Sequence, residues 1–189
     1  MSASTWRLLD WFKINQGRSQ TRLAINSNLG PNVDVDRLLD SIEGVEFDLY
    51  TSNESIGAQA EYIRDGLDWN LWLSNMHQLA NSGKLRGLHT MCTINATSLE
   101  TLPEFLEVCL DFKQRYGKNF FYFTLNILRF PSFQSAVVLP EEIKLYHRER
   151  IHNWYVQSAH LLTDIEREHV TRLMDYLDLV KTPHNIALS

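Results

Sequence analysis

The sequence predicts an α/β fold with about four parallel strands joined by helices, and three observations carry this. Strand-like and helix-like runs alternate from Leu23 to Phe130 at the spacing of β-α-β units. The strand-like runs are nearly continuous in apolar residues, the pattern of strands covered by helices. Beyond Pro140 strand character stops and two helical runs close the chain. At 189 residues, 44% of them apolar, the chain fits one domain with its own core.

The first run, with Trp6, Leu8, Leu9, Trp11, Phe12 and Ile14, is amphipathic and predicts a short helix ended by Asn15-Gln16-Gly17. Leu23 to Asn28 reads as a buried strand, stopped by Leu29-Gly30-Pro31-Asn32. Val35 to Ile42 predicts a short helix with Leu38, Leu39 and Ile42 inward, closed by Gly44. Val45 to Tyr50 is the second strand, and it opens into the polar turn Thr51-Ser52-Asn53-Glu54-Ser55. A helix is expected from about Gln59 to Asn81, with Gly66 marking a place for a break or kink.

Leu85 to Asn95 reads as the third strand. Thr101 and Glu104 have the spacing of a capping box, with Pro103 tolerated in the first turn of a helix that buries Leu106, Cys109, Leu110 and Phe112. Tyr116-Gly117-Lys118-Asn119 ends that helix, and Phe120 to Phe130 is the fourth strand, broken by Pro131. One closing helix runs from about Glu141 to His160; the other starts at Thr163 with a second capping box, Thr163 and Glu166, and runs to about Val180. Pro183 and the residues after it form a tail.

Composition narrows the function classes. A formal net charge of -5 argues against non-specific nucleic-acid binding. No apolar run approaches membrane-spanning length and the amino terminus lacks a signal pattern, so a soluble, cytoplasmic protein is expected. The two cysteines, Cys92 and Cys109, match no metal-ligand spacing and read as buried thiols. His147, His152 and His160 lack the i, i+4 spacing of a helical zinc site and read as surface or satisfied histidines. Trp69 and Trp72 read as core packing, and Arg148-Glu149-Arg150, with Glu141 and Glu142, as a solvated face. There is no P-loop, no G-x-G-x-x-G and no G-x-S-x-G.

Polar residues gather where the strands end: Asn26 and Asn28, Ser52, Asn95, Asn126 and Arg129. In parallel α/β folds the carboxyl ends of the strands carry the ligand site. Ser52 stands at the end of the second strand and Arg64 on the helix that follows. A hydroxyl and a guanidinium at one strand mouth can together hold a carboxylate or a phosphate. The ordinary reading of each stands beside this: turn residues satisfying their own backbone, and a surface arginine in an ion pair.

The succession LAINSNLG, DLYTSNESIGAQAEYIRDGLDW, MCTINATSLETLPEFL and FTLNILRFPSFQSAVVLP resembles the later half of radical SAM proteins, most closely those of the twitch-domain-containing type. The resemblance runs from about Leu23 to Pro140, and its most specific piece is the spacing from Ser52 to Gly66. It implies a partial, half parallel β/α barrel over residues 1–140, with a C-terminal helical segment, 141–189, packed on the same domain. In that family S-adenosylmethionine (SAM) is cleaved reductively at a [4Fe-4S] cluster. The resemblance implies cofactor contacts from Ser52 and Arg64 to the methionyl carboxylate and from Asn28 and Asn95 to the ribose or adenine. It implies substrate or cofactor contacts from Asn126 and Arg129. The family's cluster-binding CxxxCxxC loop is absent from this chain, so the chain alone is not expected to do radical chemistry, whether it is a fragment, half of a split enzyme or a descendant that lost the chemistry.

A half barrel would leave its first strand, Leu23 to Asn28, without a neighbour. Association through that edge, with a partner chain or with itself, is therefore expected. Two function classes follow: the C-terminal part of a radical SAM enzyme, or a non-catalytic α/β binding or assembly module.

Overall fold

The computed structural model describes residues 2–15 and 22–179. The described elements are α1 (Ala3–Asn15), β1 (Leu23–Asn26), α2 (Val35–Ser41), β2 (Phe47–Ser52), α3 (Gly57–Ile63), α4 (Trp69–Asn81), β3 (Gly87–Ile94), α5 (Leu102–Tyr116), β4 (Phe121–Ile127), α6 (Glu141–Ser158) and α7 (Asp164–Leu177). The four strands form one sheet in the order β1-β2-β3-β4, every neighbouring pair parallel. Sequential order without reversal has no topological switch point; it is the progression found in β/α barrels. The expected stop at Gln16-Gly17 and the tail from Pro183 lie outside the described residues. No described helix is long and apolar enough to cross a membrane.

Burial alternates along the strands, so the sheet has two unlike faces. Phe47, Leu49 and Thr51, with Leu88, Thr90, Cys92 and Ile94, and Phe121, Phe123 and Leu125, are buried on one face. Trp72, Met76 and Leu79 of α4 and Phe105, Leu106, Cys109 and Phe112 of α5 belong to the same core. Trp72 Nε1 donates to Thr51 Oγ1 at 3.0 Å, which supplies the buried indole with its hydrogen bond. The opposite face carries Tyr50, Ser52, His89, Met91, Thr93, Tyr122 and Thr124 half-buried, and Asn26 and Asn126 exposed. The helices expected over the sheet, α4 and α5, cover the first face. The apolar runs include Tyr, His, Thr and Met, which suit a surface that is only partly dry.

The helix expected over Gln59 to Asn81 is two helices. Gly66 takes φ +78, a left-handed conformation that ends a helix, and Asp68 starts α4 by accepting from Leu71 N at 2.9 Å. Of the two expected capping boxes, Thr163 and Glu166 form one. Thr101 does not cap α5; its hydroxyl bonds the hydroxyl of Ser55 instead. Tertiary demand from the β2 loop overrides the local spacing signal.

The two sheet edges are treated differently. On β4, Phe123 N donates to Glu166 Oε1 at 3.2 Å and Leu125 N to His169 Nδ1 at 2.9 Å. Leu125 O accepts from Arg172 at 2.7 Å and Phe121 O from Lys113 Nζ at 3.0 Å. Side chains of α5 and α7 thus close this edge. On β1, Leu23 and Ser27 donate to β2, so the backbone groups of Ala24 and Asn26 point outward, where no described residue bonds them. Both residues are exposed.

α6 has a buried face opposite the charged run. Lys144, His147, Ile151, Trp154 and Ser158 are buried at helical spacing. His147 is buried rather than on the surface; its Nδ1 has no partner among the described residues and its Nε2 lies 3.9 Å from Glu100. Arg148 and Arg150 pair with Asp178 and Glu104, both at 2.6 Å, and tie α6 to its neighbours.

Four histidines, His77, His89, His147 and His169, are held below the ordinary histidine range, first by burial. The folded protein therefore binds fewer protons than the unfolded chain below about pH 6.5. Their contribution to stability is complete above that pH and is lost as the pH falls through the lower folded values. Urea unfolding midpoints should drop between about pH 7.5 and about pH 5. An unchanged midpoint would contradict the burial of these rings.

Candidate functional site

β2 runs to Ser52, two residues further than the sequence predicts, and the loop after it turns inward. Asn53, Glu54 and Ser55 are 0%, 2% and 0% exposed, unlike ordinary surface turns. Asn53 Oδ1 accepts from Glu54 N at 2.9 Å and Ser55 N at 3.3 Å, folding the turn on itself. The Glu54 carboxylate accepts from Thr93 N at 3.2 Å, continuing the ladder to β3 where β2 has stopped. Gln59 Nε2 donates to Thr97 O at 2.9 Å, tying α3 to the exit of β3.

Arg64 follows α3 as its C-cap residue and reaches back to pair with Glu54. Its side chain is 26% exposed, and its Nε is buried without a partner among the described residues. The site therefore holds a carboxylate, and that carboxylate is the chain's own. Ser52 lies on the open face of the sheet in register with Met91, and no described bond joins it to Arg64.

The other sequence-derived positions divide. Asn28 is exposed and its Oδ1 accepts from Gly30 N at 3.3 Å. Asn95 Oδ1 accepts from Thr97 N at 2.9 Å, Thr97 Oγ1 at 2.6 Å and Ser98 N at 2.9 Å, so it orders its own loop. Asn95 also lines a cleft of about 540 Å³ with Tyr62, Ile63, Thr97, Phe133 and Gln134, next to the Arg64 end of α3. Asn126 is exposed on the open face. Arg129 lies in a different groove, of about 450 Å³, with its guanidinium 5.9 Å from the Tyr176 ring. Ser52, Arg64 and Asn95 thus belong to neighbouring mouths, Asn28 follows β1 beside the Gly66 turn, and Arg129 sits in a separate groove.

Sequence reasoning missed Glu54, which organises this site. Inside TSNES it reads as one more polar loop residue, and only its burial distinguishes it. The donor set also speaks to an iron–sulfur cluster. Cys92 on β3 and Cys109 on α5 are sealed in the core, and burial pushes both thiols well above their usual range. Two inert thiols on separate elements do not fit a [4Fe-4S] cluster. Compared with protein-family models, curated proteins and solved structures, the chain matches none of them.

Proposed function

We propose that this chain is the C-terminal part of a radical S-adenosylmethionine enzyme. It would supply part of the SAM and substrate pocket, with the cluster held by residues outside the sequence given. One observation carries the reading: a part-buried guanidinium, Arg64, is fixed at the mouth of β2 and holds a carboxylate there. A charged donor in a partly dry pocket is what a methionyl carboxylate requires. Arg64 would take that carboxylate and Ser52 would add a hydroxyl donor. Asn95, in the adjoining cleft, would face the ribose or adenine with Asn28, and Asn126 and Arg129 would face substrate. SAM bound there would supply the 5′-deoxyadenosyl group once reduced by one electron from a cluster held elsewhere; this chain's share would be binding and orientation.

A second reading is favoured by the outer edge of β1, which no described residue bonds, against the closed edge of β4. The chain would then be a binding or assembly module that pairs through Leu23 to Asn28, with itself or with another chain, without catalysis. Calorimetry separates the two. SAM should bind the protein, and Arg64→Ala should weaken it about tenfold or more, the worth of one charge-assisted bond. Equal heats in both proteins would remove Arg64 from the site. No heat in either, together with concentration-dependent association in sedimentation, would favour the assembly reading.

A further inference from the structure

The open face of the sheet carries a second arrangement, nearer the amino ends of the strands. Tyr50, His89 and Tyr122 lie in register across β2, β3 and β4. Their rings stand parallel, with centroids 4.4 and 5.2 Å apart and planes inclined by 9° and 11°. The imidazole is thereby clamped between two phenol rings. Gly87 lies two residues earlier on the same face. A Cβ there would meet Asp48 Oδ1 and His89 Nε2, each at 2.9 Å. The missing side chain is the space into which carboxylate and imidazole both lean.

Nε2 is the ring nitrogen on the carboxylate side, where a proton on it would face Asp48. The other Asp48 oxygen pairs with Arg86. Nδ1 lies on the ring edge turned away from Gly87, where no described residue partners it.

Beside the three rings is a half-open cleft of about 530 Å³, whose far wall is the start of α7, Thr163 to Glu166. The charges in that wall are already engaged: Glu166 with Lys113 and Asp164 with Arg167. The remaining lining is the aromatic rings, Thr124, Thr163 and Ile165, and Ile165 presents 63% of its surface. The volume lies within the roughly 300–1,000 Å³ typical of small-molecule pockets.

We propose that this cleft is a binding site for a small, neutral, planar ligand of one or two rings that donates one N–H or O–H to His89 Nδ1. Its ring would cover the edges of Tyr50 and Tyr122 and pack on Ile165. Neutrality follows from the pairing of both wall carboxylates with cations among the described residues, because a charged ligand would be desolvated without a partner. Burial keeps the imidazole uncharged at neutral pH, against the opposing pull of Asp48, so the Nδ1 lone pair is available. The site is independent of Arg64 and does not rest on the SAM reading.

The test uses the full chain, indole as the probe and 1-methylindole, which lacks the N–H, as its control. Titrations are followed at the His89 imidazole by NMR. Indole should shift the His89 resonances saturably, and 1-methylindole should bind about tenfold more weakly, the worth of one hydrogen bond. His89→Phe, which keeps a ring in the stack and removes Nδ1, should abolish that discrimination. Equal binding of the two probes to the unaltered protein, or indole binding that leaves His89 unshifted, would overturn the proposal. Both readouts stand even if His89→Phe fails to fold.

Discussion

Replacing Glu166 by alanine is expected to cost about 3–5 kcal/mol of folding stability, the usual penalty for stranding one member of a buried ion pair. Glu166 and Lys113 meet at 2.9 Å with side chains 1% and 2% exposed. The carboxylate also accepts from Phe123 N at 3.2 Å and from Thr163 N and Oγ1 at 2.8 and 2.9 Å. One substitution therefore leaves a buried ammonium unpaired, opens the outer edge of β4 and removes the capping box of α7. Lys113 would keep Phe121 O at 3.0 Å as its nearest acceptor, which carries no full charge. The double replacement Lys113→Met with Glu166→Gln should recover part of the loss, because the stranded charge is gone and an acceptor for Phe123 N remains. Urea unfolding measures both. A loss below about 1 kcal/mol in Glu166→Ala would mean that the pair behaves as a solvent-screened surface contact.

The residues that made the fold legible are those with periodic apolar neighbours. Leu23, Phe47, Leu88 and Phe121 stand at or next to the starts of the four strands, and all lie in one parallel sheet. Gly66 marked a break because a left-handed residue ends a helix whatever surrounds it. Thr163 and Glu166 announced α7, since that box is made from local atoms alone. Thr101 and Glu104 had the same spacing and failed, because Ser55, far away in sequence, claims the Thr101 hydroxyl. The buried stripe of α6 stayed hidden for a related reason. Lys144 and His147 look solvent-facing until α7 and Glu100 are placed beside them. At the mouth of β2 the sequence pointed to Arg64 and Ser52 but not to Glu54. Whether a loop carboxylate faces water or folds inward depends on contacts with β3 that local pattern does not encode.

Glu54 carries the second large effect. Glu54→Ala should destabilise the protein by about 2–4 kcal/mol, somewhat less than the deeper pair, because Arg64 retains access to solvent. Two groups lose their acceptor: the Arg64 guanidinium and Thr93 N, which donates to Glu54 at 3.2 Å. Glu54→Gln separates the two roles. Its amide oxygen still serves Thr93 N, so the ladder to β3 survives, while the negative charge opposite Arg64 is gone. If Arg64 is the anchor for an external carboxylate, that charge is a built-in competitor. Glu54→Gln should then raise affinity for SAM, and Arg64→Ala in the same background should erase the gain. The coupling between the two positions, read from the four variants of the cycle, is the quantity that decides. A large coupling in urea unfolding with none in SAM binding would make the pair a strut for the β2 loop and nothing more. Coupling in both would mean that the contact holding the loop in place also tunes the ligand pocket.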